Sequence, residues 1–571
     1  MAMDFEEILG KCGDCHRYQY MLLALYGLLM FIVSRQYFAQ SVISFVPDHW
    51  CYHDQLANQS YAEIAAIYAP FKKPSCTRLE SINEDGSNAT ASSEPCNRWI
   101  YNYDHGFRSM NADLNWVCDE AYKARVGQSL FFVGSMCGTL LFGLLGDRIG
   151  RIRAVVLANW CGFLGDSATI FAQSLVTFSA SRFVSGLAAE ANAYLMYILG
   201  MLSFYSSCTY LVFISKTVLE YVSPTMRSVG LNLTMSVWYC LGMISASWQA
   251  VWLGGWRPFM AWSALPQLLV TGFYFLIQES AQWLVTRHDI DGAELRLRRV
   301  AKFNRREVSE ADFELFRQHC KNKESEASSQ VSMQKQSRLI DALEFPRLRL
   351  RLTYVLVVFS ITVLCYNTMS RNVEGLSISP FVMFTFFALT LPPSGIFQTQ
   401  VQKNLGRKFT SVVSMTATGV MTAATGILLT FWTQPSAMVM VCLLLVSRFG
   451  ISVITGSTMQ ISAELIPTCV RSSGLAVIHV TGAALSFLSP FILHLDTYFR
   501  AASSIILCLL LLLSAWICLL LPETRNKKLP LSLAEGEEFG KDERMFDFLK
   551  GSKKEDQHDL SAGTNEKLMA E

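Results

Sequence analysis

The chain is predicted to be an all-α membrane protein of twelve spans in two six-helix halves, and three observations predict it. Of its 571 residues 51% are hydrophobic, 37 of them Phe, and only 16% are charged. Soluble domains carry roughly 25% charge, so the apolar excess has to face lipid. Apolar runs near the roughly 20 residues that cross a bilayer recur along the chain. The halves also echo each other. Ser181-Arg182-Phe183 opens an apolar run that ends in Glu220 before Arg227, and Ser447-Arg448-Phe449 opens another that ends in Glu464 before Arg471. Two further runs follow each, leaving at Gln278-Glu279-Ser280 and at Pro522-Glu523-Thr524.

Taken in order, residues 1–19 read as a cytoplasmic amino-terminal segment. Lys11 and Arg17 lead straight into a run of full spanning length, which argues against a cleavable signal peptide. Spans are expected at about 20–45, 127–146, 153–173, 178–199, 229–252 and 257–277 in a first bundle over 20–277. A second bundle, 352–521, holds 352–371, 377–400, 409–431, 436–458, 471–494 and 500–521, and 522–571 is a cytoplasmic tail. Arg148, Arg151 and Arg153 after the second span, with Lys403, Arg407 and Lys408 after the eighth, put those turns in the cytoplasm by the positive-inside rule. An even span count then puts both termini there.

Two long loops interrupt the pattern. Residues 46–126, predicted outside, hold Cys51, Cys76, Cys96 and Cys118 and the acceptor sites Asn58-Gln59-Ser60 and Asn88-Ala89-Thr90. They read as a glycosylated ectodomain with two disulfides, in any of three pairings. Four reduced thiols in a cytosolic loop would require inverted topology. The loop 278–351 carries Arg296, Arg298, Arg299, Lys302, Arg305 and Arg306, then Arg347, Arg349 and Arg351. It reads as short basic helices along the anionic inner leaflet, or as solvated helix faces.

Gly143-Leu-Leu-Gly-Asp147-Arg148-Ile-Gly150-Arg151 joins the second and third spans. Its glycines permit a tight turn, and its charges can pair with a helix end and with acids such as Glu220, latching the halves on the inner face. Asp147, Arg148, Arg151, Glu220, Arg227, Glu464 and Arg471 are the gating candidates. In the second half Lys403-Asn404-Leu405-Gly406-Arg407 keeps the glycine and arginine without the acid, which predicts an asymmetric latch. The nine-residue motif resembles the signature of the major facilitator superfamily. Within it the chain resembles solute carrier family 22, the organic cation, organic anion and carnitine transporters. That likeness rests on Gly10-Lys-Cys-Gly13, Tyr18-Gln19, Pro47-Asp48-His49-Trp-Cys51, Asp113-Leu-Asn-Trp-Val-Cys118-Asp119, Gln128-Ser129, Glu279-Ser280-Ala-Gln-Trp283-Leu284 and Glu464-Leu-Ile-Pro467-Thr. The landmarks run from about residue 10 to 525, with Gln278 where the family has proline.

The resemblance implies polyspecific transport of small organic ions across the plasma membrane by alternating access between two halves around a midplane site. Charge selectivity is where the chain departs. Ala483 stands where the family's cation carriers have an acid and its anion carriers an arginine, and Leu391 stands at another acidic position of cation carriers. Glu190 and Arg35 are the intramembrane charges to weigh. Each costs roughly 2.5–3.5 kcal/mol on insertion scales and so lines a cavity or finds a partner. Either Glu190 attracts a substrate's positive group and Arg35 holds a negative one, or the two form a structural ion pair. Both readings favour organic cations or zwitterions, with organic anions as the alternative. Further cavity candidates by family position are Phe359, Tyr366, Asn367, Gln460 and Ala483. The adjacent polar groups of Tyr366 and Asn367 need partners within the membrane, and aromatic faces hold organic cations.

Net charge of +2 gives no pull toward nucleic acid. No nucleophile triad, phosphate-binding glycine loop or metal-spaced His/Cys cluster points to an enzyme, a cofactor or a metal. His479 and His494 stand singly in apolar runs. A membrane receptor that senses a ligand without moving it is the rival class. Partners are therefore expected to be a small organic ion and the bilayer.

One segment breaks the repeat. Arg182 and Glu220 stand 38 positions apart (220 − 182), whereas Arg448 and Glu464 stand 16 apart (464 − 448). Removing 200–217 joins Tyr197-Ile-Leu199 to Val218-Leu-Glu220 and restores the family pattern. Its 18 codons keep the frame (217 − 199), and as helix they would add roughly 27 Å, nearly a bilayer. The segment reads as a translated intron, or else as an inserted cytoplasmic helix; translated as written, it predicts impaired transport. Sequencing the transcript is expected to reveal a shorter message without these codons. Uptake by the full-length form equal to that of a 200–217 deletion would refute the impairment.

Overall fold

The computed structural model describes residues 5–12, 17–56, 59–71, 75–82, 89–91, 95–203, 226–277, 279, 281–287, 289–330, 339–371, 379–431, 436–499, 501–525, 527, 530, 532–541, 543 and 545. Asn58, Asn88 and Glu220, and 200–217 beyond Ser203, lie outside them.

Twelve helical spans are present among the described residues. Among the described residues nine are long and apolar enough to cross a membrane: Tyr20–Ile43, Cys118–Gly146, Trp256–Leu276, Pro346–Arg371, Pro380–Leu405, Arg407–Phe431, Ala437–Leu465, Ser473–His494 and Ala502–Leu519. Arg151–Thr169, Leu175–Ser203 and Met226–Leu253 are the third, fourth and fifth spans. Three spans break where proline withdraws a backbone donor. The sixth holds Pro266 before a 3-10 turn at Val270–Gly272. The eighth divides into Pro380–Leu389 and Leu391–Leu405, and the eleventh into Arg471–Ser486 and Ser489–His494.

The loop between the first two spans is where the chain departs from all-α. Asp48–Cys51 pairs antiparallel with Trp99–Asn102, and Leu79–Ile82 with Ala89–Ala91. Two disulfides staple the loop: Cys51–Cys96 closes the first ribbon just before Trp99, and Cys76–Cys118 joins the approach to the second ribbon to the entry of the second span. They settle which of the three pairings the chain adopts. The membrane side bearing this loop is called the disulfide face below, and the side bearing the 278–351 loop the linker face. On the linker face, helices Ile290–Phe303 and Glu310–Gln330 pack against the amino-terminal helix Phe5–Lys11. Ile8, Leu9, Leu297, Phe313 and Phe316 form that small core, with Lys11 bonded to Asp312 at 2.7 Å. The basic side chains are partly neutralised here, since Arg298 pairs with Glu294 and Glu310.

The two halves repeat one turn closely. Gly150 (φ 104°) and Gly406 (φ 94°) precede the third and ninth spans in a backbone region that disfavours any other residue. A Cβ at either would also meet a carboxylate, that of Glu279 or Glu523. Those carboxylates accept from the first backbone amides of the following helix. Glu279 takes Arg151 N at 3.0 Å and Ile152 N at 3.4 Å, and Glu523 takes Arg407 N and Lys408 N, both at 3.0 Å. Each acid thus satisfies orphan donors and faces the positive end of a helix dipole. The paired exits read in the sequence, Gln278-Glu279-Ser280 and Pro522-Glu523-Thr524, are this device.

The disulfides close loops of 45 and 42 residues, for which chain-entropy bookkeeping gives roughly 4 kcal/mol each. Non-reducing peptide mapping is expected to recover the 51–96 and 76–118 links. Recovery of 51–76 or 51–118 in freshly purified protein would overturn the pairing.

Candidate functional site

The candidate site lies where the halves meet, framed by the distribution of apolar side chains. On the disulfide face one buried core runs across both halves. It joins Tyr37, Phe38, Phe131, Phe132, Met243 and Phe259 of the first half to Phe381, Phe384, Phe387 and Val441 of the second. On the linker face the core is two separate clusters. One, around Leu29, Val33, Phe142, Val155 and Phe273, belongs to the first half; the other, around Val358, Met415, Ile454, Ile478 and Leu511, belongs to the second. The fifth and eighth spans still approach part-way down, at Ser236 and Gly395.

Polar bridges reinforce the shared core. The Tyr37 hydroxyl donates to Asn367 Oδ1 across the interface, and Asn367 Nδ2 donates to Ser486 Oγ at 2.7 Å, tying the seventh span to the eleventh. Ser129 Oγ donates to the Phe487 carbonyl at 3.0 Å. That carbonyl is available because the eleventh span breaks before Pro490, and Phe491 N turns to Leu488 O instead. Trp248 Nε1 donates to Thr385 Oγ1 at 3.0 Å. Arg371 lies against two rings of the first half, 4.6 Å from the Phe132 centroid and 5.2 Å from that of Tyr37.

Phe359 packs on His479 with centroids 5.1 Å apart, and buried Ala483 follows Gly482, whose Cα faces Phe359. Tyr366 accepts from Arg448 Nη2 at 3.0 Å and lies beneath its guanidinium. Phe359, Tyr366, Asn367 and Ala483 therefore gather on the seventh and eleventh spans. Gln460 lies on the tenth span, where its Nε2 donates to Glu464 Oε1 at 3.0 Å among the linker-face charges. Arg35 is tied to the fifth span through Ser245 Oγ at 3.3 Å and Gln249 Oε1. Glu190 sits on the fourth span, with its side chain outside the described residues.

Three of the gating candidates, Glu464, Arg151 and Arg471, have a partner in their own half. Glu464 accepts from Arg407 at 3.2 Å and from the Thr524 hydroxyl, so the second half forms an acid–base cluster without an acid in its own turn. Arg151 meets Glu279 through its backbone amide, Arg148 is exposed, and Arg471 Nε donates to the Ile466 carbonyl at 3.2 Å. The side chains of Asp147 and Arg227 lie outside the described residues.

Sequence reasoning missed one network and one residue. Asp166 of the third span, fully buried, pairs with fully buried Arg182 and accepts from Ser185 Oγ and Gln267 Nε2, both at 2.6 Å. Gln36 of the first span joins through Ser185 at 3.0 and 3.2 Å. Asp166 in an otherwise apolar run was the available signal. Arg371 was read as a span end, and nothing in one sequence indicates that Tyr37 and Phe132 enclose it.

A family model described as "Sugar (and other) transporter" matches residues 88–532. Human solute carrier family 22 member 13 is 26% identical over 550 residues, 93% of each chain. An organic cation transporter-like protein of Drosophila melanogaster is 24% identical, covering 94% of this chain and 93% of its own. Organic cation transporter 1 of Caenorhabditis elegans is 23% identical, covering 94% and 89%. Among solved structures, the proton:xylose symporter XylE bound to 6-bromo-6-deoxy-D-glucose aligns with TM-score 0.56 at 14% identity, covering 91% of this chain and 98% of that one. XylE from E. coli in an inward-open conformation aligns with TM-score 0.55 at 13% identity, covering 91% and 99%. The likeness to XylE shows a shared fold.

Removing Asn367 takes its acceptor from the buried Tyr37 hydroxyl, at about 1–3 kcal/mol, while Ser486 Oγ keeps its bond to the Gly482 carbonyl at 2.8 Å. Asn367→Ala is expected to raise, roughly ten-fold, the rate at which a membrane-impermeant maleimide on the disulfide face labels Phe384→Cys, a position buried in the shared core. An unchanged rate would mean that the bridge does not hold that face closed.

Proposed function

We propose, for a chain that belongs to the sugar (and other) transporter family and to solute carrier family 22 of the major facilitator superfamily, that it carries small organic cations or zwitterions across the plasma membrane by alternating access. The names of its relatives support the organic-ion class, since those of the fly and the nematode are organic cation transporters. Such a protein is a transporter and not an enzyme. The observation that carries the mechanism is the unequal core, continuous between the halves on one face and divided on the other.

In this reading the disulfide face is extracellular, where an oxidising compartment favours cystine, and the linker face and both termini are cytoplasmic. The arrangement is then the stage closed outside. Opening outward requires parting the shared aromatic core and its polar bridges, while the divided clusters approach on the other side. Phe359, Tyr366, Asn367 and Ala483 line the binding region, with Glu190 as the group that attracts a positive charge. Arg35 serves the first half by tying two of its spans. Gln460, Glu464, Arg471 and the charged turns around Asp147, Arg148, Arg151 and Arg227 act at the cytoplasmic gate, with Glu220 in the same role. Asn58 and Asn88 carry glycans in the extracellular loop.

Proteoliposomes containing the purified chain are expected to show saturable uptake that internal substrate accelerates. A disulfide between Ser129→Cys and Phe487→Cys, which pins the halves on the extracellular side, is expected to lower flux at least ten-fold, with recovery on reduction. Undiminished flux in the crosslinked protein would reject alternating access, and binding without accumulation would favour a receptor.

A further inference from the structure

Two guanidinium groups within the second half have no acid beside them among the described residues. Arg371, in the last turn of the seventh span, is 6% exposed, and none of its three side-chain nitrogens donates a hydrogen bond among the described residues. Its neighbours are the rings of Tyr37 and Phe132. Arg448, in the tenth span, is 1% exposed; it spends Nη2 on the Tyr366 hydroxyl, while Nε and Nη1 donate to nothing among the described residues. The two are linked. Arg371 rests on Tyr37, Tyr37 donates to Asn367, and Asn367 is adjacent in the chain to Tyr366, on which Arg448 rests.

The internal repeat supplies the contrast. Arg182 and Arg448 occupy the same place in the Ser-Arg-Phe landmark of their halves. Arg182 is answered by Asp166 in a network completed by Ser185 and Gln267. Arg448 faces a small cavity lined by Thr422, Thr425, Ser447 and Ser504, all without charge. Buried charge without counter-charge is strongly unfavourable, and ring faces compensate only in part. A guanidinium whose N–H groups are free matches a carboxylate in two parallel bonds.

We propose that Arg371, with Arg448 behind it, receives the acidic group of the transported compound, so that the substrate class is acid-bearing organic ions, zwitterions rather than simple cations. The inference rests on the carrier reading above. Arg371 belongs to the second half, whereas the rings that cover it belong to the first. Separation of the halves on the extracellular side would draw Tyr37 and Phe132 away and present the guanidinium to an arriving carboxylate.

Phenethylamine, phenylalanine and 3-phenylpropanoate share one hydrophobic body and differ in their charged ends, which makes them a discriminating set for counterflow in proteoliposomes of the full chain. Phenylalanine is expected to enter at least ten-fold faster than phenethylamine. Arg371→Gln is expected to lower phenylalanine uptake at least ten-fold at equal reconstituted amount and an unaltered unfolding midpoint, and Arg371→Lys to restore most of it. Arg448→Gln is expected to act in the same direction; Arg371, at a helix end, gives the deciding result should the Arg448 variant not fold. Entry of 3-phenylpropanoate alongside phenylalanine also supports the assignment. Uptake of phenethylamine alone, or wild-type phenylalanine uptake by Arg371→Gln, overturns the acid-receiving role and leaves the carrier reading standing. Entry of none of the three counts against both.

Discussion

The aromatic core shared by the two halves on the disulfide face is the contact on which the whole arrangement depends. Phe38 meets Phe384 at 6.2 Å between centroids, and Phe107 meets Phe381 at 5.5 Å and Phe259 at 6.5 Å, all edge-on. Within lipid the hydrophobic effect offers helices little reason to associate, so packing and interhelical hydrogen bonds decide which surfaces adhere. Here both are concentrated at one end. Tyr37, Asn367 and Ser486 place the polar links among those rings, and no described apolar cluster joins the halves at the other end. A pair of bundles whose described shared core lies at one end has a preferred direction in which to part.

Each half is rigid for reasons of its own, and the repeat makes the comparison internal. Glu279 and Glu523 cap equivalent helices after equivalent positive-φ glycines, which locks the charged turns to the ends of the sixth and twelfth spans. Deeper in the membrane the halves differ. The first is pinned by the buried Asp166–Arg182 pair, which draws in Gln267 and, through Ser185, Gln36. The second keeps its matching arginine against Tyr366 with no acid beside it among the described residues. One duplicated frame thus serves as a fixed body on one side and as a body with spare charge on the other.

The lipid-facing architecture was legible because it follows from composition and length alone. Apolar runs, paired landmarks and basic turns marked the long helices, with ends that differ by several residues, as where a span expected over 436–458 is the helix Ala437–Leu465, and proline marked the broken ones only once their partners were visible. Four cysteines in one polar loop announced disulfides, but pairing depends on how Asp48–Cys51 and Trp99–Asn102 come together, which spacing does not encode. Gln460 was named by family position alone, and its bond to Glu464, one helical turn on, became visible only in the structure. Arg371 was invisible for the opposite reason. Its chain neighbours say little, and its environment comes from Tyr37 and Phe132, over two hundred residues away.

The disulfide-tied loop is held unevenly by the two bundles. Toward the first half it is anchored by polar bonds: Arg108 exchanges backbone hydrogen bonds with Gly254 and Trp256, and Asp113 pairs with Arg257 at 2.9 Å. Toward the second half the loop meets Phe381 through rings, with Phe107 at 5.5 Å and His105 at 6.3 Å between centroids. Ring faces slide and separate more readily than paired backbone groups, so the cap travels with the amino-terminal bundle as a visor. Anything large that fastens to it, from a sugar tree to an antibody, will be carried clear of the carboxyl-terminal bundle whenever the mouth widens.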